Sequence, residues 1–400
     1  MNCNLCSAEL SVLLDLGSHP IANHLMQRPS KETDFYPMRA AGCYSCGLVQ
    51  LCDRIDTNLF YTNYATPSSW KNEPHLGKLV KALDRLIDKD RRVLDVGCND
   101  GKFLRNLQDE GWTDVFGLEP TTNTSGVAIQ QGFKVINNSL NEKTAIELVS
   151  QYGLWDLVSV RQVLEHVSDL ADFGKSLNLL LKEDGILVIE VPDSRINLLQ
   201  QDYALWEEHV NYFTPETLVA FLTMNGFELI DQYESVFSGV CLTVVARKVR
   251  KSSQELKRSG FYSQKVLKSQ IQRFEQWAAG FESFKERVHA EVTKGKNHDQ
   301  LILYGVGSRS SNFVNILGIS EMIDFAVDSQ LEKQGLYMPG SCKEIISADA
   351  YRERLDNSPF FILGVNTENE DRVMSRENYF NGAKVYSVLP PSTRLLSAWN

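Results

Sequence analysis

The stretch Val93-Leu94-Asp95-Val96-Gly97-Cys98-Asn99-Asp100-Gly101 decides the fold of this chain. An apolar run that ends at an acid is typical of a buried strand. Gly97 and Gly101 allow a tight turn before a helix predicted over residues 102 to 108. A second apolar run ends at Glu119, about 20 residues beyond the turn, as in nucleotide-binding α/β units. The stretch therefore predicts a strand, a glycine turn, a helix and a second strand around a ligand.

The rest of the chain repeats this α/β rhythm. Apolar runs over 92–95, 115–119, 154–160 and 185–190 alternate with helical periods, which predicts a parallel sheet covered on both faces. A further strand–turn–helix begins at Leu301. We therefore expect a Rossmann-like α/β core with a small zinc-binding domain before it and a second Rossmann-like domain after it. The predicted boundaries are 1–55 for the zinc-binding domain, 56–250 for the core, 251–298 for an amphipathic helical linker and 299–400 for the C-terminal domain.

The chemistry of the first glycine turn indicates its ligand. The turn carries Asp95, Asn99 and Asp100, and its acidic groups would repel a pyrophosphate but would suit a cation. S-adenosylmethionine carries both a sulfonium and an ammonium group. An acid at the end of the next strand, here Glu119, can accept hydrogen bonds from both hydroxyls of an adenosine ribose. The turn therefore favours S-adenosylmethionine, and a Rossmann-like domain with another nucleotide is the alternative.

Two Cys-x-x-Cys pairs lie near the start of the chain, at Cys3 and Cys6 and at Cys43 and Cys46. Each pair can place two thiolates on one tight turn, and two such turns complete a tetrahedral S₄ zinc site. Gly47 suits the turn that follows Cys46. Four filled ligand positions predict a structural zinc ion. Four unconnected buried cysteines are the alternative.

A polar cluster precedes a helix start at Thr214-Pro215 and follows the strand that ends near Glu190. It contains Trp206, Glu208 and His209, and it should lie at the C-terminal edge of the sheet, where α/β folds bind ligands. A histidine with an acidic neighbour is the usual general base near neutral pH. The alternative is solvated glutamates with a histidine that caps a turn. His166, at a predicted helix start, is interpreted as structural.

The second glycine turn, in the predicted C-terminal domain, offers an anion site. Gly305, Gly307, Ser308 and Arg309 follow a strand and begin a helix, where backbone N–H groups and a guanidinium can bind a diphosphate. A vestigial dinucleotide fold and a pure scaffold are the alternatives.

Composition limits the partners. The net charge is −10 and the sequence pI is about 5.3, which argues against nucleic acid or an anionic membrane as the main partner. The chain shows no signal-like segment and no apolar run that could span a membrane. We therefore expect a cytoplasmic protein with reduced cysteines, present as a monomer or a small homo-oligomer.

Taken together, the chain resembles the nucleotide-sugar C-methyltransferases, class I S-adenosylmethionine-dependent enzymes with an N-terminal zinc domain and a C-terminal α/β domain. The matching motifs are Cys3, Cys6, Cys43 and Cys46; Leu48-Val49-Gln50; residues 61–69; Val93 to Gly101; Glu208-His209 with Tyr212-Phe213; residues 304–307 with Asp328; and 333–335 with Pro339-Gly340. The similarity spans nearly the whole chain.

The resemblance implies a role for each motif. Around S-adenosylmethionine it implies Asp95, Gly97, Asn99 and Gly101 at the methionine part, Glu119 at the ribose, Asn137 or Asn138 near the adenine, and Gln162 beside the methyl. Around the acceptor it implies His209 as base, Glu208 as its partner, and Tyr61, Tyr64 and Ser69 as a lid over the sugar. It also implies that the C-terminal domain helps to bind the nucleotide part of that sugar.

The implied acceptor is a nucleotide-diphosphate 4-keto-deoxysugar. His209 would remove the proton on C3, and the resulting enolate would attack the sulfonium methyl. One departure affects this reading. The family has Tyr-His-Glu-His where this chain has Trp206-Glu207-Glu208-His209. The indole of Trp206 can only donate a hydrogen bond, unlike the phenol it replaces. O- or N-methylation of a related sugar or metabolite therefore stays open, as does a non-catalytic zinc-containing scaffold.

Overall fold

The structure is a computed structural model of the 400-residue chain. It describes residues 1–30, 34–56, 59, 73–195, 205–237, 239–250, 264–296, 299–355, 358–376, 380–388 and 392–399.

The strands and helices alternate along most of the chain. The strands are β1 (Ser11–His19), β2 (Tyr36–Gly42), β3 (Val49–Leu51), β4 (Val93–Val96), β5 (Val115–Leu118), β6 (Lys134–Ile136), β7 (Trp155–Arg161), β8 (Leu181–Pro192), β9 (Asn211–Tyr212), β10 (Phe227–Val236), β11 (Val240–Lys248), β12 (Asp299–Tyr304), β13 (Phe325–Val327), β14 (Ile345–Ile346), β15 (Ser358–Leu363) and β16 (Lys384–Ser387). The α-helices are α1 (Leu76–Leu83), α2 (Lys102–Asp109), α3 (Thr122–Gln130), α4 (Glu142–Tyr152), α5 (Leu170–Leu180), α6 (Pro215–Met224), α7 (Gln264–Lys296), α8 (Ser308–Leu317), α9 (Ala348–Glu353) and α10 (Glu370–Arg376).

The central sheet has the order β10-β11-β8-β7-β4-β5-β6. Its pairs from β8 to β6 are parallel, and β11 runs antiparallel between β8 and β10. Without β11 this is the doubly wound Rossmann order. The strand order reverses at β4, so the turn after β4 lies at the edge where such sheets bind ligands. The predicted Rossmann-like core is confirmed.

The N-terminal sheet contains β1, β2, β3 and, from far along the chain, β9. β3 pairs with β9 in antiparallel register, with Val49 opposite Tyr212 and Gln50 opposite Asn211. β9 immediately follows Glu208-His209-Val210. The N-terminal sheet is therefore bonded directly to the segment predicted to bind the acceptor.

The C-terminal sheet is parallel, in the order β14-β13-β12-β15-β16. The 33-residue helix α7 packs against both this sheet and the N-terminal one. One apolar cluster joins Val49 of β3, Phe274 and Phe284 of α7, and Leu303 of β12. The amphipathic stretch predicted as a linker is thus a core element shared by the two outer sheets. None of the described helices is both long enough and apolar enough to cross a membrane.

Candidate active site and metal centre

The turn after β4 has backbone geometry that glycine alone accommodates easily. Gly97 has φ +76°, and a Cβ there would lie 2.3 Å from Val163 Cγ2. Gly101 has φ +85°, and its Cβ would lie 2.8 Å from the Phe133 ring. Gly97 therefore keeps the turn close to the loop after β7, whereas Gly101 is needed for packing beneath helix α2.

A cavity of about 330 Å³ lies over this turn, a volume typical of small-molecule sites. Five predicted donor-site residues line it: Gly97, Asn99, Glu119, Asn138 and Gln162. Two others, Asp95 and Gly101, are not among the residues that line it. The buried Asp95 carboxylate accepts a 2.5 Å hydrogen bond from Ser159 Oγ, and burial raises its pKa to about 6.

Unmet polar groups in the cavity suit the methyl donor. The buried Asn99 Oδ1 has no hydrogen-bond partner in the described parts of the chain, so it can accept one from an ammonium group. The Glu119 carboxylate is held at the wall by the backbone N–H groups of Asn99 (3.0 Å) and Thr121 (2.8 Å). The remaining lone pairs of the Glu119 carboxylate can accept hydrogen bonds from ribose hydroxyls. These residues fit S-adenosylmethionine.

The structure separates the two asparagines after β6. The Asn137 side-chain amide donates to the backbone oxygens of Glu119 (2.8 Å) and Pro120 (2.9 Å), so it holds the loop. Asn138 lines the cavity instead. Of the two residues, Asn138 is therefore the one placed to meet a ligand.

The acceptor segment reaches the same cavity. Glu208 lines it, and its carboxylate accepts a 2.6 Å hydrogen bond from Asn23 Nδ2 of the N-terminal domain. The centroid of the His209 ring lies 4.5 Å from that of Trp206 and 4.8 Å from that of His166. His166 also lines the cavity, and its Nδ1 lies 2.8 Å from the Glu208 carbonyl oxygen. The histidine interpreted as structural is thus part of the cavity wall.

Glu207 joins three parts of the chain. One carboxylate oxygen accepts hydrogen bonds from the Ala22 backbone N–H (2.6 Å) and Trp206 Nε1 (3.2 Å), and the other from Asn312 Nδ2 (3.4 Å). Ala22 belongs to the N-terminal region and Asn312 to helix α8. Burial raises the pKa of Glu207 to about 7, although the backbone and side-chain hydrogen bonds act to lower it. The sequence indicated Glu207 only as a departure from the family pattern.

A buried ionic network lies beside Gln162, and the sequence analysis did not predict it. Glu190, at the end of β8, has His75 Nε2 at 3.1 and 3.3 Å and Gln162 Nε2 at 3.4 Å from its carboxylate. Burial raises its pKa, but Arg161 and the His75 hydrogen bond outweigh burial and lower the pKa to about 2. Glu190 is therefore ionised at neutral pH. The sequence signal for this network was an acidic residue at the end of a strand. The residues that contact Glu190 could not be predicted from it, because they lie far from Glu190 in the chain.

The four N-terminal cysteines form one cluster. Cys3 and Cys46 Sγ lie 3.5 Å apart, Cys6 and Cys43 Sγ lie 3.4 Å apart, and all four sulfurs lie within 4.8 Å of one another. Tetrahedral zinc with Zn–S bonds of about 2.3 Å requires sulfurs about 3.8 Å apart. Gly47, with φ +80°, donates its N–H to Cys43 O and closes one turn. The sulfurs fit a structural zinc ion, as predicted.

The second glycine turn lies at the end of β12. Gly307 is the N-cap of α8, and Arg309 lies in its first turn. The Asp328 carboxylate accepts from Val306 N at 2.8 Å and pairs with Lys333 Nζ at 3.3 Å, so this acid holds the turn. Burial raises the pKa of Cys241 well above its usual value, and the Arg309 charge opposes that rise. Cys241 lies on β11 of the central sheet, where its sulfur accepts a hydrogen bond from Gln162 Nε2 at 3.2 Å.

Three predicted lid residues, Tyr61, Tyr64 and Ser69, lie outside the described residues. The roles expected of them, and of the other residues implied by the resemblance, stay predictions.

Family models match three successive regions of the chain. They are described as "Putative zinc binding domain" over residues 3–61, "Methyltransferase domain" over residues 71–232 and "C-methyltransferase C-terminal domain" over residues 238–390. With its core, cysteine cluster and cavity, the chain belongs to the S-adenosylmethionine-dependent methyltransferases that carry these three domains.

The chain is similar to known proteins over different shares of its length. The C-methyltransferase NovU of Streptomyces niveus is 25% identical over 99% of this chain and 97% of its own length. The ubiquinone biosynthesis O-methyltransferase of Azorhizobium caulinodans is 25% identical, over 41% of this chain and 68% of its own. Among solved structures, a methyltransferase from Methanosarcina mazei covers 45% of this chain and 100% of its own, with 16% identity and TM-score 0.35. Magnesium protoporphyrin IX methyltransferase from Synechocystis covers 43% of this chain and 77% of its own, with 17% identity and TM-score 0.33.

Proposed function

We propose that this enzyme methylates a carbon atom of a nucleotide-diphosphate 4-keto-deoxysugar. The supporting observation is the shared cavity: Asn99 of the donor turn, Glu119 after β5 and Glu208 of the acceptor segment line one space. A similarity to NovU over 99% of the chain, and the match to a C-methyltransferase C-terminal domain, support carbon as the methylated atom.

S-adenosylmethionine, when bound, supplies an electrophilic methyl group on a positively charged sulfur. The chain holds this donor through the Asn99 side chain at the ammonium and the Glu119 carboxylate at the ribose. Both residues lie on the cavity wall after β4 and β5. Their side chains fix where the methyl group lies relative to the acceptor.

The chain's part in the reaction with the acceptor is proton transfer. A ketone on C4 acidifies the hydrogen on C3, and the His209 imidazole takes that proton as general base. The C–H electron pair then becomes the nucleophile of the acceptor enolate. Glu208, which is fixed by Asn23, orients the base or binds the sugar. General base catalysis of this kind contributes about 10²–10⁴-fold. His209 returns its proton to water after product release.

Binding of the nucleotide part is assigned to the second glycine turn. Backbone N–H groups at the start of the ten-residue helix α8 and the Arg309 guanidinium would hold the diphosphate. The Arg309 charge acts on Cys241, which contacts Gln162 of the donor cavity, and this influence supports an acceptor that extends from this turn to the donor cavity.

The decisive experiment incubates the enzyme with S-adenosylmethionine and a panel of nucleotide keto-sugars, then reads product mass and methyl position by NMR. A methyl on C3 with loss of the C3 proton is expected. In D₂O without methyl donor, the keto-sugar should gain deuterium at C3. A methyl on oxygen or nitrogen would overturn the proposal in favour of the related O- or N-methylation. A failure to bind S-adenosylhomocysteine in calorimetry would overturn every methyltransferase reading.

A further inference from the structure

One side chain of the buried network is incompletely bonded. His75 is 8% exposed, and its Nε2 lies 3.1 and 3.3 Å from the two Glu190 oxygens. Its other ring nitrogen, Nδ1, is buried and bonds to nothing in the described part of the chain. Buried polar atoms are nearly always hydrogen-bonded, so an orphan of this kind needs a reason.

Glu190 fixes which nitrogen can meet a ligand. A carboxylate buried this deeply and beside Arg161 accepts hydrogen bonds, so the His75 proton lies on Nε2. Nδ1 is then left to contact something outside the network. The His75 ring cannot turn freely, because it also packs against the Phe237 ring, with the two ring centroids 5.0 Å apart.

The position of His75 relates it to the reacting groups. Glu190 Oε1 is shared between His75 and Gln162, and Gln162 lines the donor cavity whereas His75 does not. Gln162 also contacts Cys241, whose thiol pKa the Arg309 charge acts to lower. His75 therefore lies next to the part of the donor cavity wall that Gln162 forms.

We propose that His75 is a further residue of the acceptor site, and that its Nδ1 accepts a hydrogen bond from a hydroxyl of the sugar beside the transferred methyl. Glu190 is the positioning residue that holds the ring. This inference rests on the proposed function, because it names a contact to the acceptor proposed there.

Two variants separate this role from a purely structural one. The side chain of His75→Gln places an amide N–H where Nε2 lies, so it keeps the bond to Glu190 and loses Nδ1. His75→Asn places an amide near Nδ1 and gives up the bond to Glu190. Loss of one substrate hydrogen bond should lower kcat/KM for the acceptor about 10-fold or more in His75→Gln. Its affinity for S-adenosylhomocysteine and its thermal midpoint should stay close to those of the wild type.

A structural role predicts the reverse order, with His75→Gln near wild type and His75→Asn impaired in stability and donor binding; that order would overturn the inference. Thr243→Val is the matched control, because it removes another hydrogen bond to Glu190 and leaves Nδ1 unchanged.

If the wild-type protein methylates no nucleotide keto-sugar, the proposed function fails and the inference fails with it. If the wild type is active and His75→Gln matches it in kcat/KM, only the inference fails.

Discussion

Asn23 Nδ2 donates a 2.6 Å hydrogen bond to the Glu208 carboxylate across 185 positions of sequence. Asn23 follows β1 of the N-terminal sheet, and Glu208 lines the donor cavity. A residue outside the methyltransferase core therefore fixes a carboxylate at the proposed point of reaction. The backbone pairing of β3 with β9 joins the same two regions a few residues away.

Asn23→Ala should slow methylation about 10-fold, because Glu208 loses the donor that fixes it and a charged group keeps fewer partners. Binding of S-adenosylhomocysteine should change little, since Asn99 and Glu119 do not contact Asn23. Steady-state kinetics and calorimetry measure the two effects. Ser18→Ala, at an exposed position of β1, is the control. Equal kcat values for Asn23→Ala and the wild type would remove this contact from the mechanism.

Gly97→Ala should abolish binding of S-adenosylhomocysteine, because a Cβ would meet Val163 Cγ2 at 2.3 Å and the backbone has φ +76°. Gly126→Ala is its control: a Cβ there meets nothing within 4 Å, and it lies inside helix α3. That change should stabilise the protein by about 0.5–1 kcal/mol. Calorimetric affinity and thermal midpoints distinguish the two. Retained affinity in Gly97→Ala would contradict the turn as the donor site.

Cys43→Ser should lower the zinc content and the thermal midpoint, because one of four sulfur ligands is replaced. It should also lower methylation, because the cysteine pair precedes β3, which holds β9 next to His209. Zinc is measured by mass spectrometry of the purified protein. Cys52→Ser, outside the cluster, should keep full zinc. Unchanged stoichiometry in Cys43→Ser would refute the site.

Glu207 should make stability depend on pH between about 4.5 and 7. Its folded pKa of about 7 exceeds the ordinary value of 4.5 because burial disfavours the charged form, so the native state binds the proton more tightly. The contribution of protonated Glu207 to the free energy of unfolding is complete below pH 4.5 and is lost as the pH rises through 7. Glu207→Gln should therefore reduce the fall in thermal midpoint between pH 5 and pH 8. A wild-type pH profile in the glutamine variant would contradict the assignment.

Arg309→Ala should weaken binding of the nucleoside diphosphate about 10-fold or more, because a charge-assisted hydrogen bond to a phosphate is lost. Affinity for S-adenosylhomocysteine should stay the same. Isothermal titration with the nucleoside diphosphate reports the change. Arg352→Ala, at an exposed position of α9, controls for net charge. Equal affinities in the two variants would favour a scaffold role for the second glycine turn.

Much of the fold was predictable because its signals are local. The glycine turn, the strand that precedes it and the acid that ends the next strand lie within 27 consecutive residues, from Val93 to Glu119. The two cysteine pairs carry their chemistry in their spacing. The role of α7 was harder to predict, because its periodicity indicates an apolar face but not that the face packs against two separate sheets.

The sequence by itself determined the methyl-donor turn and the zinc ligands, because short-range backbone geometry dictates which residue types these turns accept. Only the tertiary structure decided what surrounds the acceptor. Asn23 with Glu208, His75 with Glu190 and Asn312 with Glu207 meet across 185, 115 and 105 positions of chain. Contacts at such separations depend on how the three sheets pack together, and packing direction is not encoded in the spacing of neighbouring residues. The glycine turn after β4 thus fixed the donor, and the packing of the outer domains fixed the groups that face it.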